Sequence, residues 1–216
     1  MIEIDKIKVF NFEGAIRGMR NPLDSWEHSD SKFTTEDKGG FYLGPADLSL
    51  AHRLITAGSD HAKFLRQIFV SMDINAPLYW WKEADTYKVA TVANSCSTMH
   101  TIHKYPFTAD QFSHEHMIPV AFSALMTTVN TLNSLRHAYL NTEDQEAKRD
   151  YWYSMIQLLP SSWNQKRTFT CNYATLRNMY FARKNHKLNE WHDFCDMIKT
   201  LSYAQDLITY TGSETK

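Results

Sequence analysis

The segment from Ser113 to Asn141 constrains the fold more than any other part of the chain. Met117, Val120, Ala121, Ala124, Leu125, Thr128, Leu132 and Leu135 recur at steps of three and four, the spacing that collects side chains on one face of an α-helix. Pro119 falls within the first turns, where a missing N–H is tolerated. A second helical segment follows at once, EDQEAKRDYWYSMIQLLP, stopped at Pro160.

Strands and shorter helices fill the rest. KIKVFNFEG alternates weakly up to Gly14 and predicts an opening strand. Residues 21–45 are polar and carry Pro22, Gly39, Gly40, Gly44 and Pro45, which predicts a long, mobile loop of the kind that often carries function. PADLSLAHRLITAG predicts a helix with proline at its start, Asp47 in its first turn and a glycine stop at Gly58. FLRQIFVSMDINAP alternates from Ile68 to Ile74 and predicts a strand closed by Pro77, after which PLYWWKEADTYK predicts a helix with that proline first. The next stretch, TYKVATVANSCSTMH, supports by its own residues only a polar connector. QKRTFTCNYA predicts a strand, ATLRNMYFARKNH and LNEWHDFCDMIKTLSYAQDLI two helices, and TGSETK a frayed tail. The tally is mostly helical with three to five strands. The elements cluster rather than alternate, so the class is α+β.

At 216 residues, 43% of them hydrophobic and 13% aromatic, the chain can bury a sizeable core. A net charge of −1 provides no global field for nucleic acid or an anionic membrane. Three cysteines, Cys96, Cys171 and Cys195, without a CxxC pair argue against a disulfide framework or a zinc site and favour a reducing compartment. MIEIDKIKVF lacks the apolar core of a secretory signal, and no apolar run approaches a membrane span. The expectation is a cytoplasmic protein.

Four groups of residues are candidates for chemistry, each with a plain alternative. His114, Glu115 and His116, with His100 and His103 upstream, suggest a metal cluster, but histidines at i and i+2 diverge on a helix and the HExxH spacing is missing. A polar helix start is the favoured reading. Glu190, Asp193 and Asp196 read as a solvated acidic face; an acid/base pair would need burial to separate the two carboxyls. The run Tyr79, Trp80, Trp81 suits either stacking on a planar ligand or packing, and packing is favoured. Lys166, Arg167, Arg177, Arg183, Lys184 and His186 surround Asn172 and Asn178. Asn178, Arg183 and His186 fall within roughly 140° of one helix face. There Arg183 can clamp a phosphate and the asparagines can read a heterocycle edge, or the segment is simply a cationic helix surface.

At these residues the chain resembles the flavin-dependent thymidylate synthases (the ThyX-like family), which methylate dUMP. In INAPLYWWKEADTYKVATVANSCSTMH, Thr86, Tyr87, Lys88 and Thr91 fall on the family signature R-H-R-x-x-S. After one inserted residue near Ala93, NSCSTMH falls on N-E-x-S-x-R-Y, with Asn94 and Ser97 identical. The signature is degenerate: Lys88 keeps charge, while Tyr87, Met99 and His100 depart from the pattern. In LPSSWNQKRTFTCNYATLRNMYFARKNHKLNEW the chain keeps Leu159, Pro160, Thr170, Asn172, Leu176, Asn178, Arg183, His186 and Glu190, with one residue deleted before His186. The match spans roughly residues 54–200.

The resemblance implies one domain over residues 1–216, mostly helical around a central, mainly antiparallel sheet. It implies FAD held by His61, Lys88, Asn94, Asn172, Asn178 and His186, and dUMP held by Ser95, Ser97 and Arg183. It implies NADPH and methylenetetrahydrofolate as co-substrates, a homotetramer with flavin between subunits, a bacterial or phage origin, and no catalytic side chain, because the flavin carries the chemistry. Cys96 has nothing nearby in sequence to activate it as a nucleophile. Lys82, Lys104 and Arg66 are candidates to replace the missing arginines. Two alternatives stay open: a related flavin-dependent enzyme acting on another pyrimidine nucleotide, and a non-catalytic nucleotide-binding homologue.

Overall fold

The computed structural model describes residues 2–33 and 40–212. Strand β1 (Glu3–Phe10) leads into helix α1 (Phe12–Arg20); short strands β2 (Lys32–Phe33) and β3 (Phe41–Tyr42) pair antiparallel before α2 (Pro45–Thr56). Then come β4 (Phe69–Pro77), α3 (Leu78–Ala84), β5 (Val92–Ser95), α4 (Thr98–Thr101), α5 (Pro119–Asn141), α6 (Gln145–Leu158), β6 (Asn164–Asn172), α7 (Tyr173–Arg183), α8 (Asn189–Thr200) and α9 (Ala204–Leu207).

Four strands form a central antiparallel sheet in the order β1-β4-β6-β5. Its direction is legible in side-chain pairs. Thr168 donates to Asp73 at 2.7 Å and Thr170 lies 3.4 Å from Ser71, so β6 rises in sequence as β4 falls. Asn75 donates to Glu3 and Lys6 pairs with Asp73, which sets β1 antiparallel to β4 in the same way. Alternate residues of β4, Val70, Met72, Ile74 and Ala76, are buried, the period-two pattern its sequence shows. The chain divides into two compact units, each discontinuous in sequence: Met1–Glu3, Ile74–Thr86 and Asn94–Arg167 make one, and Ile4–Asp73, Tyr87–Ala93 and Thr168–Lys216 the other.

In the first unit α5 and α6 pack together over a core of Ile102, Phe107, Phe112, Leu125, Val129, Leu132 and Met155. Helix α5 begins at Pro119, not at Ser113 as the periodicity suggests. Ile118 is extended, as a residue before proline is driven to be. Upstream, Ser113 N–H donates to Ser162 C=O, and Phe112 bridges Trp163. The Asn133 carboxamide takes both backbone groups of Phe107, at 2.8 and 2.9 Å, which ties the segment before α5 to the helix. Trp80 and Trp81 are buried in this unit, and Trp81 Nε1 donates to Gln165 C=O at 2.8 Å, so they act as core.

In the second unit the expected strand end at Gly14 is instead helix. Asn11, left-handed at φ 68°, turns the chain into α1, and a Cβ on Gly14 would overlap the Asn11 carboxamide. The expected loop at 21–45 carries two 3₁₀ turns and the β2–β3 hairpin; its residues 34–39 lie outside the described residues. The single helix expected over 188–208 is broken between α8 and α9. Tyr203 is left-handed there, and its hydroxyl donates to Phe41 C=O and accepts from Leu43 N–H. Tertiary hydrogen bonds override a helical pattern that contains no glycine or proline. Of the expected frayed tail, residues 213–216 lie outside the described residues. No helix among the described residues is long and apolar enough to cross a membrane.

Asp47 anchors this unit. It is fully buried and pairs with Arg20 at 2.5 Å. Ser29, Ser31 and the backbone N–H groups of Asp30 and Ser31 also donate to it. Burial raises its carboxyl, but hydrogen bonds from Ser31, Ser29 and Arg20 outweigh burial and hold it below the usual value. A carboxyl lowered on folding stabilises the protein above its unfolded pKa, and that contribution disappears as pH falls through the folded one. Asp47→Ala leaves Arg20 buried without its carboxylate. It should cost about 3–5 kcal/mol, read by urea denaturation at pH 7, and the deficit against wild type should shrink on acidification below the usual carboxylate range. All three cysteines are free: Cys96 is exposed, while burial pushes Cys171 up to about 12 and Cys195 to about 11. A thiol reagent should therefore label one cysteine rapidly in the native protein and all three after denaturation.

Candidate functional site

The second unit gathers the polar residues that the sequence singles out at the end of β6 and along α7. Asn172 closes β6 and caps α7. Its Oδ1 accepts from Thr175 N–H at 2.9 Å and from the Thr175 hydroxyl at 3.1 Å. These bonds fix which way the carboxamide faces. Asn172 is 2% exposed, and its Nδ2 has no protein acceptor among the described residues. The Thr175 hydroxyl also lies 3.3 Å from Val89 C=O, which joins the 87–93 segment to the first turn of α7.

Arg183 is the last residue of α7. Its Nε donates to the Tyr87 hydroxyl at 2.8 Å, and its guanidinium sits 4.8 Å from the Trp191 ring centre and 5.4 Å from that of Tyr87. Tyr87 and Trp191 meet edge-on at 6.1 Å, and His186 approaches Trp191 at 6.2 Å. The His186 N–H donates to Arg183 C=O, and its Nδ1 accepts from Leu188 N–H, so a neutral ring carries its hydrogen on Nε2. Glu190 is buried at the start of α8, a correction to the solvated face expected of it; Asp193 and Asp196 are exposed, with Asp196 paired to Lys199. Two aromatic rings and one hydroxyl are among the groups that contact the Arg183 guanidinium.

Other expected residues lie apart from this cluster's contacts. Asn178 is exposed on α7, Lys88 is exposed beside Tyr87, and His61 is exposed at the head of the 3₁₀ turn Ala62–Gln67, which packs on α7. Two cations of the basic segment serve the fold. Arg177 donates to Ile208 C=O and Tyr210 C=O, and burial lowers its pKa. In the first unit Arg167 stacks 4.1 Å from the Trp81 ring and pairs with Asp85 at 2.8 Å.

Also in the first unit, Asn94 and Ser95 are exposed on edge strand β5, and Ser97 caps α4 by accepting from His100 N–H. The stretch read as a plain connector is thus a strand and a short helix, held by Cys96 N–H donating to Lys166 C=O and by Gln165 Nε2 donating to Cys96 C=O. His114 Nδ1 lies 2.8 Å from Phe112 C=O and its ring stacks on Phe122. Among the described residues no group of three or more His, Cys, Asp or Glu is placed to hold a metal ion. Sequence reading passed over Thr175 and Trp191, and met Tyr87 only as a departure from the signature. Tyr87 and Arg183 are 96 residues apart, and no local pattern links them.

No protein-family model matches the chain, and no curated protein matches it. Solved structures do. Thymidylate synthase X (ThyX) from Helicobacter pylori, crystallised with FAD and dUMP, superposes with a TM-score of 0.65 at 17% identity over 96% of this chain and 97% of that one. A second structure of the flavin-dependent thymidylate synthase ThyX from Helicobacter pylori, complexed with FAD and dUMP, gives 0.66 at 17% identity over 95% and 97%. The chain has the fold of a flavin-dependent thymidylate synthase. Identity this low establishes the fold and nothing finer.

Within that thymidylate synthase fold, the β6–α7 junction depends on one carboxamide. Asn172→Ala should destabilise the protein by about 1–2 kcal/mol through the lost cap. Asn172→Asp, which keeps the accepting oxygen, should melt close to wild type in a thermal scan.

Proposed function

We propose that the chain is an FAD-dependent enzyme of the thymidylate synthase kind, converting dUMP to dTMP with methylenetetrahydrofolate and NADPH. The supporting observation is the Arg183–Tyr87–Trp191 cluster, which lies on a chain that matches FAD- and dUMP-containing structures almost end to end. Arg183 binds the nucleotide phosphate, with Ser95 and Ser97 as further nucleotide contacts. Asn172 offers its Nδ2 hydrogens to an acceptor on the flavin, and His61, Lys88, Asn94, Asn178 and His186 complete the flavin-binding set. Bound FAD supplies the redox chemistry for reducing the transferred carbon. The chain's own residues bind and orient: the Tyr87 and Trp191 rings beside the Arg183 guanidinium restrict its rotation and displace water, which strengthens a charge-assisted contact. A cytoplasmic homotetramer, with flavin bound between copies, belongs to the same proposal.

One observation favours a second reading. The Ser97 hydroxyl is anchored as the cap of α4, accepting from His100 N–H with its own hydrogen still to give, so the half of the proposed site carrying Asn94, Ser95 and Ser97 also fits a flavin enzyme acting on a different pyrimidine nucleotide. A product assay over several pyrimidine monophosphates separates the two: turnover of dUMP alone eliminates the second.

Purified protein should be yellow or take up FAD, should bleach under NADPH, and should form dTMP. A colourless protein that binds no added FAD would falsify the proposal. Arg183→Ala should raise the dUMP Kd roughly tenfold or more by calorimetry. Asn172→Asp, folded like wild type, should bind FAD more weakly because its donor is gone.

A further inference from the structure

The turn that carries Lys88 has few contacts to hold its shape. Lys88, Val89 and Ala90 are exposed, and Ala90 is left-handed at φ 57°, a conformation that a residue with a Cβ keeps only when its surroundings impose it. Two threonine hydroxyls supply the restraint. Thr91 donates to Tyr87 C=O at 2.5 Å and closes the turn at its base. Thr175, in the first turn of α7, reaches Val89 C=O at the apex, 3.3 Å away. All of these residues belong to one compact unit.

A hydroxyl has one hydrogen to give, and Thr175 has a second acceptor within reach, Asn172 Oδ1 at 3.1 Å. That oxygen already receives the Thr175 N–H at 2.9 Å. Val89 C=O has no other donor among the described residues, so the hydrogen does more for the turn than for the cap. Lys88 stands between the two tethered carbonyls, those of Tyr87 and Val89, and among the described residues its ammonium has no partner. Fixing the backbone on both sides of a long side chain lowers the entropy lost when that side chain binds. The ionised part of FAD is its diphosphate, the group that an ammonium attracts. We propose that Thr175 is a positioning residue of the flavin site, whose hydroxyl holds the apex of the Tyr87–Thr91 turn so that Lys88 is presented to the diphosphate of FAD. The inference rests on the function proposed above.

Thr175→Val keeps the side-chain shape and the capping N–H and removes only the hydroxyl; Thr175→Ser gives the hydroxyl back. FAD titrations at low and high salt, on wild type, both variants, Lys88→Met and the Thr175→Val/Lys88→Met double variant, test the assignment. The expected result is an FAD Kd raised about fivefold in Thr175→Val, restored in Thr175→Ser, with no further loss from Thr175→Val once Lys88 is gone. Binding to Thr175→Val should also depend less on salt than binding to wild type, because an ionic contact has been weakened. An unchanged FAD Kd in Thr175→Val overturns the inference. So does an equal loss with and without Lys88, which would place the hydroxyl's role in the Asn172 cap. Thr91→Val opens the same turn at its base and leaves α7 alone. It should raise the FAD Kd only while Lys88 is present, and no effect there overturns the inference even if Thr175→Val does not fold. A wild-type protein that binds no FAD removes the functional proposal and this inference together. Wild-type FAD binding matched by the hydroxyl-free variants removes this inference alone.

Discussion

The cap that Asn172 places on α7 is the contact on which the arrangement of the second unit turns. At that residue the chain passes from a strand, where side chains alternate, to a helix, where they repeat every three to four residues. The direction of the helix is set by how its first N–H groups are satisfied, and here one buried carboxamide does it, with Thr175 reaching on to Val89. From that fixed start the eleven residues of α7 run about 16 Å and deliver Arg183 to Tyr87 and Trp191. A small rotation at the cap would be multiplied along that length, so one side chain sets both the start of α7 and the place of Arg183.

The sequence revealed the parts of the fold whose periodicity is local. β4, β6, α2, α6 and α7 all fall within a few residues of the segments that predict them, because alternation and helical spacing report which face is buried. The misses have another origin. The start of α5 was placed too early because Met117 continues the helical spacing, yet proline geometry at Ile118 stops it. The break before α9 is invisible in composition because it is imposed by Tyr203 bonding to Phe41 and Leu43, some 160 positions away. Val92–Ser95 shows no alternation of burial, since all four residues are exposed, and so it leaves no periodic mark.

The candidate cluster was legible in the same uneven way. Arg183, Asn172 and His186 could be picked out because they fall in one segment of polar residues. The sequence could not say which of its cations are committed elsewhere. Arg177 holds the carbonyls of Ile208 and Tyr210, and Arg167 is taken up by Trp81 and Asp85. Nor could it pair Arg183 with its aromatic partners: Tyr87 is 96 residues away, and Trp191, though near in sequence, belongs to the next helix. A list of charged residues overstates a binding site until the structure shows which charges the fold has already used.

Arg183 stands at the C-terminal end of α7, and that placement has a consequence for how such a site evolves. Phosphates in proteins are commonly met by the backbone at a helix N-terminus, where the peptide dipoles attract them. Here the dipole points the other way and its carbonyl end disfavours an anion. Were Arg183 to take an anion, as proposed, the attraction would come from side chains working against the local backbone field. A backbone receptor is hard to alter without refolding a loop, whereas a side-chain receptor changes with each substitution. Such an architecture lets ligand preference drift while the scaffold stays constant, which accords with a fold shared at 17% identity.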